Sequence, residues 1–369
     1  MKSPFQLPPD ISINSSPEKA VSILHRMWGG RGVFTCTIGN TLTSTIPGVS
    51  DAGDTPELTL FTPAADVELL FHGRTLCMDG LPINPGGIPT PATLTMAALG
   101  LSGMAVHILD GGTRVKPYVP CYHMGGECGQ DIRSGQALVN VRESYEKGVM
   151  LGEMLSRDHD FLVASESCAG GTTTALAVMM AMGALRENLV SSSSPRNPKE
   201  LKSRIVSEAL QAAGTEIGGM ADKPLEAIER VGDPMMPANV GLVVGAARNI
   251  PVILGGGTQM CAVLAAALAM DGSIKDNLVL GTTRWMVNDP NSDICRIVEG
   301  IADVPIISVN MDYGKSPYEG LQAYEWGYIK EGVGCGGSSL AAIIGSCGSI
   351  DCDALLERVH QEYRRMLNL

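Results

Sequence analysis

Short apolar runs that end in glycine- and threonine-rich turns recur along the chain. The run Phe161-Leu162-Val163-Ala164 reads as a buried strand. After it, residues 165–174 carry one acid (Glu166), two glycines (Gly170, Gly171) and then three successive threonine hydroxyls (Thr172, Thr173, Thr174). The apolar stretch 175–182 that follows is long enough for a buried helix. Residues 104–109 likewise end in Asp110-Gly111-Gly112-Thr113, and residues 250–254 end in Gly255-Gly256-Gly257-Thr258-Gln259 before a helical stretch at 260–270. Residues 277–280 run into Gly281-Thr282-Thr283-Arg284, and 305–309 into Asn310-Met311-Asp312. Strands of this kind, some leading straight into helices, predict a doubly wound parallel sheet whose ligands sit at the carboxyl ends of the strands.

Polar punctuation supplies the remaining elements. Ser16-Pro17 predicts a helix start, with Ala20, Leu24, Met27 and Trp28 on one face. Thr90-Pro91 predicts another helix over 92–99, and Asn197-Pro198 with Glu200 has the spacing of a capping box. Residues 39–66 are rich in Gly, Pro, Thr and Asp, a composition expected of an ordered, ligand-facing loop. Residues 351–369 place Leu355, Val359, Tyr363 and Met366 on one face of a terminal helix. The expected architecture is α/β: a three-layer, doubly wound, mostly parallel sheet with a small helical satellite from the termini. Its expected parts are an N-terminal helical segment at 1–35, a nucleotide-binding α/β domain at 36–345 and a C-terminal helix at 346–369 that packs or makes a dimer contact.

Composition narrows the partners. With 44% hydrophobic and 18% charged residues, the 369-residue chain can bury a large core. Its 39 acidic residues against 27 basic ones give a net charge of −12. That balance repels nucleic acid and anionic membranes, so any bound phosphate must be held locally and small-molecule substrates are favoured. The first nine residues lack the apolar core of a signal peptide and no uninterrupted apolar span occurs, which predicts a cytoplasmic protein. Ten scattered cysteines fit reduced thiols. Cys121, His123 and Cys128 match no common zinc spacing, so neither a metal nor another cofactor is expected.

The chemistry is read first by exclusion. Gly170-Gly171-Thr172 has no Walker lysine, no dinucleotide-type glycine run links a strand to a helix, and no G-x-S-x-G elbow occurs. The six histidines form no recognisable set. What remains is a pair of glutamates on glycine-rich turns, Glu166 and Glu331, together with the hydroxyl-rich cradle at 170–174. The serine run Ser191-Ser192-Ser193-Ser194 and Lys202 complete the set. A carboxylate in a low-dielectric pocket is a useful general base. The set suits group transfer from a phosphorylated small molecule to a weakly acidic nucleophile. Two alternatives use the same residues: a non-catalytic binding protein whose acids orient ribose hydroxyls, and a nucleotide N-glycosidic hydrolase with water as acceptor.

These residues resemble the nicotinate-nucleotide–dimethylbenzimidazole phosphoribosyltransferases of cobamide biosynthesis, and most closely their archaeal and cyanobacterial branch. The resemblance covers nearly the whole chain. Its carriers are Gly39-Asn40-Thr41, Ile46-Pro47-Gly48-Val49-Ser50, Pro63-Ala64-Ala65-Asp66, Glu166 with Gly170–Ala175, Gly232-Asp233-Pro234-Met235 and Gly256-Gly257-Thr258-Gln259-Met260. The resemblance implies a metal-independent transfer of the 5-phosphoribosyl group of nicotinate mononucleotide to an aromatic base by a homodimer. It implies Glu331 as the proton acceptor with Glu166 assisting. Phosphate and ribose would fall to Gly170, Gly171, Thr172, Thr173, Ser192, Ser193, Lys202, Gly256, Gly257 and Thr258, and the base pocket to Asn40, Thr41, Pro47, Asp110 and Gln259. The chain departs from the bacterial pattern at Cys168-Ala169-Gly170, at Lys330 and along the N-terminal base-pocket segment. The accepting base is therefore left open between a benzimidazole and a purine such as adenine.

Overall fold

The computed structural model describes residues 5–367 apart from 54, 81–82 and 85–86. Its strands are β1 (Ile11–Ile13), β2 (Gly32–Gly39), β3 (Ile83–Asn84), β4 (Ile88–Pro89), β5 (Ala105–Gly112), β6 (Cys121–His123), β7 (Phe161–Ser167), β8 (Val252–Gly255), β9 (Leu278–Thr283) and β10 (Ile306–Val309). Strands β3 and β4 form a separate two-stranded ribbon. The other eight make one sheet in the order β1-β10-β9-β8-β7-β2-β5-β6, parallel throughout except for β1.

The period-2 alternation of side chains explains why the strands read as continuous apolar runs. On β7, Leu162 and Ala164 enter one core while Phe161 and Val163 enter the other; on β8, Val252 and Leu254 oppose Ile253 in the same way. Helices Gly171–Ala181, Met235–Ala247 and Thr258–Met270 fill the first core. Helices Pro17–Met27, Ala92–Ser102, Cys335–Gly345 and Cys352–Leu367 fill the second. The result is a three-layer α/β fold. From β2 the chain moves outward to β5 and β6, then returns to β7 on the other side of β2. The direction of winding thus reverses between β2 and β7, and their carboxyl ends open the crevice where such sheets bind ligands. Among the described residues, no helix is long and apolar enough to cross a membrane.

Three expectations are corrected here. A satellite drawn over 1–35 would end inside β2, and Ile11–Ile13 pairs with β10, so the N-terminal segment belongs to the main sheet. The terminal helix Cys352–Leu367 is not among them: it packs, on Ala92–Ser102 within the second core. Asn197 caps no helix: its amide donates to the carbonyls of Val190 (2.7 Å) and Asn291 (3.2 Å), tying two loops together. Pro198 takes the cap position of helix Lys199–Ala212, with no side-chain cap bond. Ser16 precedes its helix as expected, but its hydroxyl bonds Asp303 instead of the helix N-terminus.

One packing constraint is sharp enough to test. Helices Val141–Leu155 and Met235–Ala247 touch backbone to backbone through glycines. A Cβ added at Gly241 would lie 2.0 Å from the Tyr145 carbonyl oxygen, and one at Gly245 would lie 2.2 Å from that of Val149. Gly241→Ala is therefore expected to destabilise the protein by about 1–3 kcal/mol through overpacking, read as a lower urea midpoint. At exposed Gly300, where the added atom meets only Ala184 O at 3.5 Å, the same change is expected to be neutral or stabilising by up to about 1 kcal/mol. Equal midpoints for the two variants would refute the close-packing account.

Candidate functional site

Glu166 is the penultimate residue of β7, paired in register with Thr37 of β2 at the reversal point. The chain then turns through Gly170, whose positive φ of 75° lets the turn press onto Ser44. Helix Gly171–Ala181 starts there, presenting Thr172 to the cleft and burying Thr173 and Thr174. The Thr174 hydroxyl bonds the Asp233 carboxyl at 2.5 Å, behind the turn.

The second glutamate arrives from the far end of the chain on a strained strap. Ile329, Lys330 and Val333 all have positive φ (62°, 54° and 52°), a conformation that costs a side-chain-bearing residue energy. Besides the bond from the Ile329 amide to the Ser193 carbonyl (2.8 Å), three bonds hold the strap down. The Val333 amide donates to the Glu166 carbonyl (3.1 Å), Thr95 Oγ1 to the Val333 carbonyl (2.9 Å) and Thr283 Oγ1 to the Lys330 carbonyl (2.6 Å). Glu331 then points inward. Its Oε1 accepts from the Gly332 amide (3.2 Å), the Gly336 amide (3.1 Å) and Cys335 Sγ (3.1 Å), and its Oε2 from Thr282 Oγ1 (3.2 Å).

Both acids line one cleft of about 190 Å³. Burial, with the charges of Asp233 and Glu331 adding to it, pushes the Glu166 carboxyl up to about 8. Gln259 and the Cys168 amide oppose that rise. Burial also raises Glu331, against the pull of its four donors. Asp66, on helix Thr62–His72, is a third acid in the wall. It accepts from Thr90 Oγ1 and Ser167 Oγ, each at 2.7 Å, and burial lifts it to about 6.

Lys202 is fully buried rather than solvated. Its Nζ donates to Thr172 Oγ1 (3.0 Å) and to the Ser191 carbonyl (2.6 Å). Burial, reinforced by the nearby Lys330 ammonium, lowers it to about 7. Lys330 is itself buried, 3.6 Å from Asp289. One end of the cleft is thus built from hydroxyls, helix N-termini and a buried lysine, a combination that attracts anions.

Of the residues expected in the site, Glu166, Gly170, Thr172, Ser192, Ser193, Gly257, Thr258, Gln259 and Glu331 line this cleft. Gly171, Thr173 and Gly256 lie behind its surface, and Lys202 reaches it through Thr172. The remaining base-pocket expectations are corrected: Asn40, Thr41, Pro47 and Asp110 do not line it. Asn40 Oδ1 accepts from the Arg114 amide (2.8 Å), Thr41 caps the short turn Leu42–Thr45, and Pro47 is exposed. Asp110 lies near the end of β5, with β2 between it and β7, and is pinned by Lys116 (2.6 Å) and the amides of Gly112 and Thr113. Asp110, Cys121 and His123 bring potential metal ligand atoms within 4.8 Å of one another, outside the cleft. Asp66, Thr90 and Ser167 were not expected as site residues. Asp66 closes the 39–66 stretch expected to face a ligand and ends the Pro63–Asp66 run that carries the resemblance, while Ser167 and Thr90 fall in the 165–174 and Thr90-Pro91 stretches without being given a site role.

A family model described as phosphoribosyltransferase matches residues 95–314. Among curated relatives, a UPF0284 protein of Methanopyrus kandleri is 40% identical over 98% of this chain and 95% of its own. One from Pyrococcus abyssi is 42% identical over 91% and 99%. Among solved structures, a nicotinate-nucleotide-dimethylbenzimidazole phosphoribosyltransferase from Thermus thermophilus superposes with a TM-score of 0.55 at 18% identity, over 90% of this chain and 91% of that one. A structure of CobT from the same organism gives 0.56 at 17% identity, over 90% and 92%. At that identity the likeness establishes the shared fold.

The raised carboxyl of Glu166 has a consequence for stability. An acid whose folded pKa lies near 8 keeps its proton in the native state while the unfolded chain releases it above its ordinary value of 4.5. It therefore costs stability progressively as pH rises from about 4.5 to about 8. Glu166→Gln removes that term. The stability difference between variant and wild type, from denaturant unfolding, is expected to move in the variant's favour across this window and level off above it. A difference independent of pH would show that Glu166 is ionised throughout.

Proposed function

The chain belongs to the phosphoribosyltransferase family, and from that membership we propose that it moves the 5-phosphoribosyl group of nicotinate mononucleotide to a ring nitrogen of an aromatic base. The products are nicotinate and an α-riboside 5′-phosphate, the kind of nucleotide that supplies the lower ligand of cobamides. The observation that carries this reading is the meeting of Glu331 and Glu166 in one cleft beside a hydroxyl- and lysine-built anion site.

In this scheme Thr172, Ser192 and Ser193 hold the phosphate, with Lys202 behind Thr172 supplying positive charge. The bond between C1′ and the nicotinate nitrogen breaks, and its electron pair stays on that nitrogen, neutralising the pyridinium. A nitrogen lone pair of the incoming base forms the new bond to C1′ from the opposite face, inverting that carbon. The base's N–H proton passes to Glu331. Burial raises the Glu331 carboxyl, which favours proton acceptance, while its four neutral donors oppose that rise and aim the group. Glu166, protonated near neutral pH, donates a hydrogen bond to a ribose hydroxyl. No metal is needed to balance the step.

The direct test is to incubate the protein with nicotinate mononucleotide and a panel of benzimidazoles and purines, reading nicotinate release and riboside mass. Release of nicotinate with ribose 5-phosphate as the co-product would identify a hydrolase instead. Glu331→Gln is expected to lower the turnover rate by about 10²–10⁴, the usual contribution of a general base, with KM for the mononucleotide little changed. An unchanged rate would remove Glu331 from the proton path. Lys202→Met is expected to raise that KM by about 10- to 100-fold, the scale of a charge-assisted hydrogen bond. Because Lys202 loses its proton near pH 7 in the free protein, wild-type KM is expected to climb as pH rises through that value. The variant should lack this climb.

A further inference from the structure

We propose that Asp66 reads a second hydrogen-bond donor on the accepting base, so that the acceptor is an amino- or hydroxy-substituted heterocycle rather than a purely alkylated benzimidazole. This inference rests on the transferase reading and names the substrate class of the same cleft.

The cleft runs in two directions from Glu331. On one side a Cβ at Gly257 would lie 3.6 Å from Glu331 Cβ, and the wall continues through Thr258, whose Oγ1 bonds the Ser191 amide at 3.2 Å. That side leads to Thr172 and Lys202. On the other side Gly332 abuts Pro91, with a hypothetical Cβ only 2.7 Å from the proline ring. Val333 follows Gly332 there, Asp66 bonds Thr90 beside Pro91, and the cleft lining also includes the apolar Leu58, Ala65 and Met78, suited to a flat ring.

Asp66 is only 3% exposed. An ionised carboxylate has about four acceptor positions, and Thr90 and Ser167 occupy two of them. Among the described residues no cation pairs with it; both donors are neutral hydroxyls. A buried carboxylate so placed is under-satisfied, and its remaining lone pairs belong to a wall of the cleft. The base delivers its ring N–H to Glu331, so an N–H or O–H on the base's outer edge is the complement Asp66 lacks. Methyl groups at that edge would desolvate the carboxylate and return nothing. Sites built to hydrogen-bond a substrate group reject analogues lacking it strongly. Asp66 also ties helix Thr62–His72 to Thr90 and to the end of β7, a structural role that must be separated from base reading.

The experiment compares wild type and Asp66→Asn on adenine (amino donor), 5-hydroxybenzimidazole (hydroxyl donor) and 5,6-dimethylbenzimidazole (no outer donor), with thermal melting as a check on folding. Wild-type kcat/KM is expected to favour the two donor-bearing bases by about 10- to 100-fold, the scale of a hydrogen bond to a charged group. Asp66→Asn should erase most of that preference, lowering kcat/KM for the two donor-bearing bases more than for the dimethyl base. A proportional loss on all three bases, or a wild type that prefers the dimethyl base, overturns the proposal and leaves the transferase reading intact. If wild type transfers to none of the bases, the transferase reading fails. Binding of the same three bases by calorimetry then decides the role of Asp66: the same preference upholds it, and no preference or no binding removes it.

Discussion

The hydrogen bond from the Val333 amide to the Glu166 carbonyl is the contact on which the site depends. It joins the end of β7, laid down in the middle of the chain, to a strap that arrives after all eight strands of the main sheet are in place. It sets the strap that carries Glu331 directly against the strand that carries Glu166. The strap carries three side-chain-bearing residues at positive φ, each costing about 1–3 kcal/mol. Such a conformation persists only when its surroundings over-determine it. Here Thr95, Thr283 and the buried Lys330–Asp289 pair do so. The strain is spent on aiming a carboxylate, and on threading the Gly332–Gly336 amides beneath it.

That geometry divides the cleft electrostatically. Glu166, Glu331 and Asp66 are held by neutral hydroxyls, amides and a thiol, and burial leaves all three less acidic than ordinary carboxyls. The cations, Lys202 and Lys330, lie toward the serine loop, where burial and mutual repulsion make Lys202 ready to share its proton with an anion. A molecule with phosphate at one end and an N–H-bearing ring at the other matches this division. The chain's net charge of −12 makes the local cationic end more necessary, since nothing in the overall field would draw an anion in.

Much of this was legible in the sequence, for identifiable reasons. Parallel strands buried on both faces appear as unbroken apolar runs, so β5, β7, β8, β9 and β10 and the turns after them stood out, and with them Glu166, Thr172 and Thr258. β1 did not, because three residues on an edge give no period to read. Asp110 was misplaced because a Gly/Thr turn after a strand looks the same whether or not the strand borders the reversal point; only the order of strands separates β5 from β7. The capping role given to Asn197 failed because its amide was claimed by two distant carbonyls, which no local pattern reveals. Asp66 escaped because it sits on a helix, without glycines, and becomes a wall residue only when Thr90 and Ser167 close on it.

The central claim is that a phosphorylated riboside lies across this cleft with its anomeric carbon between the acids. The measurement that tests it most directly is a crystal structure of the Glu331→Gln protein soaked with nicotinate mononucleotide. The account predicts phosphate density against Thr172 and Ser192 and the C1′ carbon facing residue 331. A mononucleotide bound elsewhere, or with its phosphate against Asp66 and Pro91, would contradict it.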